Sequence, residues 1–255
     1  MLAAIFIGGI LYAVNFMTGY PFSIFTVQKS VHQYMEEQYG DTDFTAGKPE
    51  RNLKQGGFTC WVSSDSDPSV RFYLDLSRGG TLRYDSYEFM VGSGMNTALE
   101  LSRSYGALCW QAAEDAEFPL GTACSGSFEP AIHNDKQTAG EPGVLPDRMD
   151  LKGLDPDMDL SLLSPQYGTV VLEIKTDAVT PETARTALLK LRECMENAGL
   201  PFCSCEVWIL PGAEEGTDAS EDAIHILNFG WDDIYEDGLE ERVVDSIAAT
   251  DAFYK

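Results

Sequence analysis

Four groups of residues in this chain have types and spacings that could do chemistry. Asp155-Pro-Asp157-Met-Asp159 has the alternating carboxylates that begin a calcium loop. Such a loop also needs a glycine at its sixth position and a bidentate glutamate at its twelfth. Those positions hold Leu160 and Gln166, so the run reads better as a solvated acidic turn. Cys203-x-Cys205 with His225 offers two thiolates and an imidazole. Structural zinc prefers cysteine pairs separated by two to four residues. A one-residue spacing points both sulfurs to the same face of a strand, which favours a core role. Cys124 and His133 could form a thiolate–imidazole pair, but no third group orients the histidine. The chain has only three histidines, His32, His133 and His225. Residues 231–237, Trp-Asp-Asp-Ile-Tyr-Glu-Asp, interleave aromatic rings with carboxylates. They could form a partner-binding lip, or the start of a helix whose acids favour the positive end of its dipole. No GxGxxG, phosphate loop, GxSxG or HExxH occurs. The expected catalytic, cofactor-binding and metal-ligating residues are therefore none, and no cofactor is expected.

The elements that must position these residues can be read from periodicity. Phe22–Tyr39 has helical spacing, with Phe25, Val31, Tyr34 and Met35 on one face and Gly40 as its stop. Strand signals follow at 44–52 (weak), 58–63, 70–76 and 81–84. They are separated by turns at Gly56-Gly57, Asp65–Pro68 and Gly79-Gly80. In 70–76, Val70, Phe72, Leu74 and Leu76 alternate with Arg71, Tyr73 and Asp75. This predicts an antiparallel meander packed under a helix. Helical spacing returns over Met90–Ala113, with Gly92 and Gly94 near its start. Residues 115–167 are punctuated by proline and glycine and read as a linker or irregular connection, with a strand near 126–132. Next come a strand at 169–175 and a helix from Pro181 to Asn197 capped by Thr180. Strands at 203–210 and 223–229 and a helix at 239–252 complete the chain, the last with Val243, Val244, Ile247 and Ala248 as its apolar positions.

The predicted fold is α+β: an N-terminal membrane helix, a helix packed on an antiparallel sheet, then a second β-α-β-β-α unit. The predicted divisions are 1–20 as anchor, 21–114 as the helix-plus-meander domain, 115–167 as connection and 168–255 as the C-terminal unit.

The formal net charge of −24 and isoelectric point near 4.2 exclude the basic footprint that nucleic acid requires. They also argue against adsorption of this region to anionic lipid. Hydrophobic residues make up 44%, ample for packed cores. The six cysteines are even in number, as in a disulfide framework. Yet Cys60 in FTCWV and Cys109 in ALCWQ sit in apolar surroundings, where cysteine behaves as a small hydrophobe.

The first twenty residues are the most hydrophobic stretch. Leu2–Val14 is an unbroken run of apolar residues and glycines, and only Asn15 and Thr18 are clearly polar before Pro21. A helix of about 20 mostly apolar residues crosses a bilayer. A cleaved signal peptide also has a short apolar run, but it ends in an A-x-A-like site, which the residues after Val14 lack. The expectation is an uncleaved single-pass anchor at residues 2–20, with the remainder outside the cytoplasm. Basic residues that would set orientation are absent before the segment and sparse after it.

Six segments stand out together: Gly19-Tyr-Pro-Phe-Ser23, Tyr34-Met-Glu-Glu-Gln-Tyr39 followed by Asp41-Thr-Asp-Phe44, Leu82-Arg-Tyr-Asp85, Ser93-Gly-Met-Asn-Thr97, Asp233-Ile-Tyr-Glu-Asp-Gly238 and Glu241-Arg-Val243. Together they resemble the YfjL-like family of bacterial membrane-anchored proteins. The likeness covers most of the chain and is poorest over 115–165. The family usually carries basic residues before its membrane segment, and this chain does not. The resemblance implies membrane anchoring and brings no catalytic or ligand residues with it. The expected function is non-catalytic binding of a protein partner or small ligand outside the cytoplasm, without nucleic acid. A carboxylate-based hydrolase is the competing class, and a structural component of a cell-surface complex is the third.

Overall fold

The computed structural model describes residue 6 and residues 21–67, 69–119, 122–131, 142–212 and 223–255. The chain divides into two compact units, Met1–Asn96 and Thr97–Lys255. Both are α+β. The expected anchor at residues 2–20 lies outside the described residues apart from Phe6. Among the described residues no helix is long and apolar enough to cross a membrane.

In the first unit, helix α1 (Pro21–Tyr39) precedes strands β1 (Phe44–Ala46), β2 (Glu50–Asn52), β3 (Gly57–Ser64), β4 (Arg71–Leu76) and β5 (Leu82–Asp85). All pairings are antiparallel, in the order β1-β3-β4-β5, with β2 also on β3. The weak strand expected over 44–52 is two short strands on opposite ends of β3. The chain leaves the sheet after Gly47, whose N–H still donates to Trp61 O at 2.8 Å, and Pro49 has no N–H to donate. Phe58, Cys60 and Val62 of β3 and Phe72, Leu74 and Leu76 of β4 are buried, the period-two pattern of a sheet with one covered face. The helix stripe against them is Val27, Val31 and Met35, spaced by four. Phe25, expected on that face, is exposed, because two residues turn the helix by about 200°.

The helix expected from Met90 is broken. Glu88–Gly92 forms a π-helical turn, and helix α2 (Met95–Asp115) starts only after Gly94. Gly94 has φ +88°, which glycine adopts without a Cβ clash.

The second unit holds most of α2, then β6 (Ala123–Phe128), α3 (Leu160–Tyr167), β7 (Gly168–Thr176), α4 (Pro181–Asn197), β8 (Ser204–Pro211), β9 (Ile224–Gly230) and α5 (Leu239–Phe253). The sheet order is β6-β7-β8-β9. Only β7 and β8 are parallel, joined through α4 as a parallel pair requires. Thr180 Oγ1 accepts from Thr183 N at 3.2 Å and caps α4. The core gathers Tyr105 and Cys109 from α2, Val170 and Leu172 from β7, Leu188, Leu191 and Met195 from α4, and Val207 and Ile209 from β8. In α5, Leu239 and Val243 are buried but Val244 is exposed, one step round the helix from the buried face.

Residues 115–167 are more structured than their composition suggests. Strand β6 is the edge of the second sheet, Met149 is buried in the core, and α3 is capped by Asp159. Proline at position 165 removes a helical donor and hides α3 from a composition-based reading. Helix α2 also falls mostly within the second unit, although the sequence placed it in the first. All six cysteines are free thiols, five of them buried.

The negative charge is segregated. Residues 1–96 carry seven Lys and Arg against ten Asp and Glu, whereas residues 97–255 carry ten against thirty-one.

Candidate functional site

The folded chain disperses most of the clusters visible in sequence. Asp155 Oδ1 accepts from Asp157 N at 2.9 Å, and Asp159 Oδ1 accepts from Ser161 N at 2.9 Å and Ser161 Oγ at 2.7 Å. These hydrogen bonds hold the Asp159 carboxyl below its usual range, and the run is a turn leading into a helix cap. Cys205 lies on the core face of β8 with Val207 and Ile209. His225 pairs across from Trp208 and therefore lies on the opposite face. Cys124 is buried, and burial pushes its thiol well above the ordinary range, so it is held as the poorly nucleophilic protonated form. His133 lies outside the described residues. Among the described residues no group of three or more His, Cys, Asp or Glu could hold a metal ion.

The aromatic–acidic run 231–237 is framed by arginines. Arg242 donates to the carbonyls of Asp233 (3.0 Å), Asp237 (2.7 Å) and Tyr235 (2.6 Å) and lies 3.6 Å from the Tyr235 ring centroid. Arg192 donates to the carbonyls of Trp231 and Ile234, and Arg185 to Glu236. This loop is held ahead of α5 by arginines from α4 and α5.

One polar cluster escapes sequence reading. Glu206 Oε1 lies 2.7 Å from His225 Nε2 and accepts from Trp208 Nε1 at 2.8 Å. The imidazole stacks on Trp208 at 3.6 Å between centroids and faces Tyr254 at 5.6 Å. Strand pairing brings Glu206, Trp208 and His225 together, and Tyr254 reaches them from the end of α5. The hydrogen bond from His225 lowers the Glu206 pKa against the opposing effect of burial. A depressed carboxylate stabilises the fold above its unfolded pKa, and that stability is lost as pH falls through the folded one. Wild type is therefore expected to lose more urea resistance than Glu206→Gln between about pH 5 and pH 3. Equal slopes in urea midpoints against pH would show that the pair is not coupled to folding.

The other feature is a face. On β3 and β4 the residues alternating with the buried ones include Trp61, Tyr73 and Asp75, and Tyr84 of β5 pairs with Asp75 on the same face. Register sets Trp61 opposite Tyr73 and Asp75 opposite Tyr84. The rings form a continuous row, with centroids 5.4 Å apart at 65° and 6.0 Å apart at 55°. Trp61 is 39% exposed and Tyr84 45%, while Cys60, Val62, Phe72 and Leu74 on the opposite face are fully buried. The Arg71 guanidinium lies 4.6 Å from the Trp61 ring centroid. Burial, then the neighbouring Tyr84 and Asp75, raises the Tyr73 phenol. The outward placement of Arg71, Tyr73 and Asp75 was legible in the alternation of β4. The row was not, because it depends on the register of three strands.

The described residues of the second unit also line clefts of similar size. Two share Phe118 and Pro119, with volumes of about 340 and 350 Å³. Lys190, in the second, donates to Glu117 O at 2.8 Å and sits over the Phe118 ring. Another, of about 320 Å³, lies beside Asn228, and its Arg242 is already held by backbone carbonyls.

The first unit is thus a helix-on-antiparallel-sheet domain with an uncovered aromatic face. Residues 1–92 match the family model for the YfjL-like, N-terminal domain, so this unit belongs to the YfjL-like family. No curated protein and no solved structure matches the chain.

Proposed function

We propose that this is a non-catalytic binding protein. Residues 2–20 anchor it in a membrane as a single pass, and its acidic remainder stands outside the cytoplasm. It binds a partner or small ligand through the aromatic face of its YfjL-like unit. The observation that carries this is the row Trp61–Tyr73–Tyr84, half-buried at Tyr73 and exposed at both ends. Keeping large rings in water forgoes roughly 25 cal/mol per Å² of burial, and contiguous exposed aromatic surface marks interaction sites. The acidic second unit supports solubility and disfavours nucleic acid. A second reading, a carboxylate-based hydrolase, has the Glu206–His225 pair in its favour, but Trp208 and Tyr254, the pair's ring partners, supply no nucleophile.

The test is a ligand screen by thermal shift on the detergent-solubilised full chain. At least one stabilising compound is expected, with its effect lost in Trp61→Ala and Tyr84→Ala and kept in Glu206→Gln. Stabilisation lost in Glu206→Gln and His225→Gln but kept in Trp61→Ala would instead place function at the carboxylate–imidazole pair.

A further inference from the structure

We infer that the aromatic face takes a neutral saccharide chain, its sugar rings lying on Trp61, Tyr73 and Tyr84 and a hydroxyl donating to Asp75. This rests on that face being the binding site. A pyranose presents a face of C–H groups that packs on the electron-rich face of an aromatic ring. A row of three such rings suits a chain better than a single sugar.

The carboxylate of Asp75 narrows the chemistry. Its side chain is 14% exposed and its Oδ2 lies 3.9 Å from Arg83 Nη1, beyond hydrogen-bond length. Its Oδ1 is buried with no hydrogen-bond partner. Oδ1 has no exposed surface, so a ligand hydroxyl at the foot of the row would reach the carboxylate at its Oδ2 edge, where Arg83 stops short of hydrogen-bond contact. Thr59 and Ser63 alternate with the buried residues of β3 as Trp61 does, adding hydroxyls to the same face. Arg71 adds guanidinium donors.

Charge separates a saccharide from the other ligands that aromatic faces take. A quaternary ammonium would meet Arg71 already over Trp61 and Arg83 beside Asp75. An anion would meet the carboxylate of Asp75, in a unit whose residues 1–96 carry ten Asp and Glu against seven Lys and Arg. A polyproline segment has no backbone N–H at its prolines, so it would leave Asp75 without a donor. A neutral ligand with apolar faces and hydroxyl donors satisfies every group on the face.

The test is isothermal titration of the full chain, solubilised in an amine-oxide detergent that carries no sugar, with cellohexaose, xylohexaose, maltohexaose and chitohexaose. At least one is expected to bind with Kd between about 10 μM and 1 mM. Trp61→Ala and Tyr84→Ala should each weaken it by about tenfold or more. Asp75→Ala should weaken it more than Asp75→Asn, which keeps a carbonyl acceptor. Hexaose binding unchanged in Trp61→Ala and Tyr84→Ala would overturn both the inference and the placement of the site. Absence of binding to all four sugars at about 5 mM would overturn the saccharide inference. If decaproline or tetramethylammonium then binds wild type but not Trp61→Ala, the face stands as the site with a different ligand.

Discussion

Gly126→Val is expected to abolish the native packing of residues 97–255. Gly126 lies in β6, where α2 crosses it at backbone distance. A Cβ at Gly126 would stand 2.5 Å from Cys109 Sγ and 2.7 Å from the Tyr105 ring, and a Cβ at Gly106 would stand 2.8 Å from Gly126 O. Tyr105 and Cys109 are themselves fully buried, and Tyr105 stacks on Phe128 at 4.5 Å. No flexible side-chain end is available to give way, so the helix must lift off the strand. Overpacking a core costs about 1–3 kcal/mol and occasionally more. Valine, with three carbons in place of none at a backbone contact, should exceed about 3 kcal/mol, a large share of the roughly 5–15 kcal/mol that domains possess. Hydrogen exchange read by mass spectrometry is the measurement. Protection across β7 and β8 should collapse, while β3 and β4, in the other compact unit, keep theirs. Gly126→Ala should give a smaller loss of the same kind. Undiminished protection of β7 in Gly126→Val would show that α2 does not rest on β6.

Asp85→Ala is expected to destabilise the YfjL-like unit by roughly 3 kcal/mol, a fall of roughly 10–20 °C in the midpoint of a unit this size. Asp85 ends β5 and ties it to α1. Its Oδ2 accepts from both Tyr34 and Tyr39 hydroxyls at 2.7 Å, and its Oδ1 accepts from Tyr87 N at 2.8 Å. Around this carboxylate Tyr39 packs against Phe44, Phe72 and Tyr87 with centroids 5.3–5.5 Å apart. Removing the carboxylate strands two phenol hydroxyls, and each unsatisfied group costs about 1–3 kcal/mol when desolvated. Asp85→Asn, which keeps one carbonyl acceptor, should lie between. The same clamp predicts alkaline behaviour. Burial and then Asp85 push the Tyr34 phenol up to about 12, and Tyr39 rises further for the same reasons. A raised phenol contributes stability that is complete below its unfolded pKa near 10 and is lost as pH climbs towards the folded value. Absorbance titration at 295 nm should show a tyrosine fraction ionising above pH 10 that shifts down in Asp85→Ala. A midpoint within about 2 °C of wild type would reduce the clamp to a surface contact.

Tyr34, Tyr39 and Asp85 all belong to segments whose likeness to the YfjL-like family was visible in the sequence. Their meeting was not, because it spans about fifty residues and needs a helix laid across a sheet. Glu206 and His225 are nineteen residues apart and meet only because β8 and β9 pair in one register. Cys205 and His225, plausible metal partners by type, are separated to opposite faces by the same pairing. A one-residue change in register would have reversed both outcomes.

What the sequence determined by itself was local. The period-two runs in β3 and β4, the cap at Thr180, the helix ends at Tyr39 and Asn197 and the β-α-β-β-α order of the C-terminal elements all follow from side-chain shape and hydrogen bonding within a few residues. So does the α+β class. The tertiary structure decided the adoption of β6 and α3 into the second core and the alignment of Trp61, Tyr73 and Tyr84. Each of these depends on contacts between residues far apart in the chain. Their free energy arises from area buried and register satisfied across elements, and no window of sequence contains both sides of such a contact.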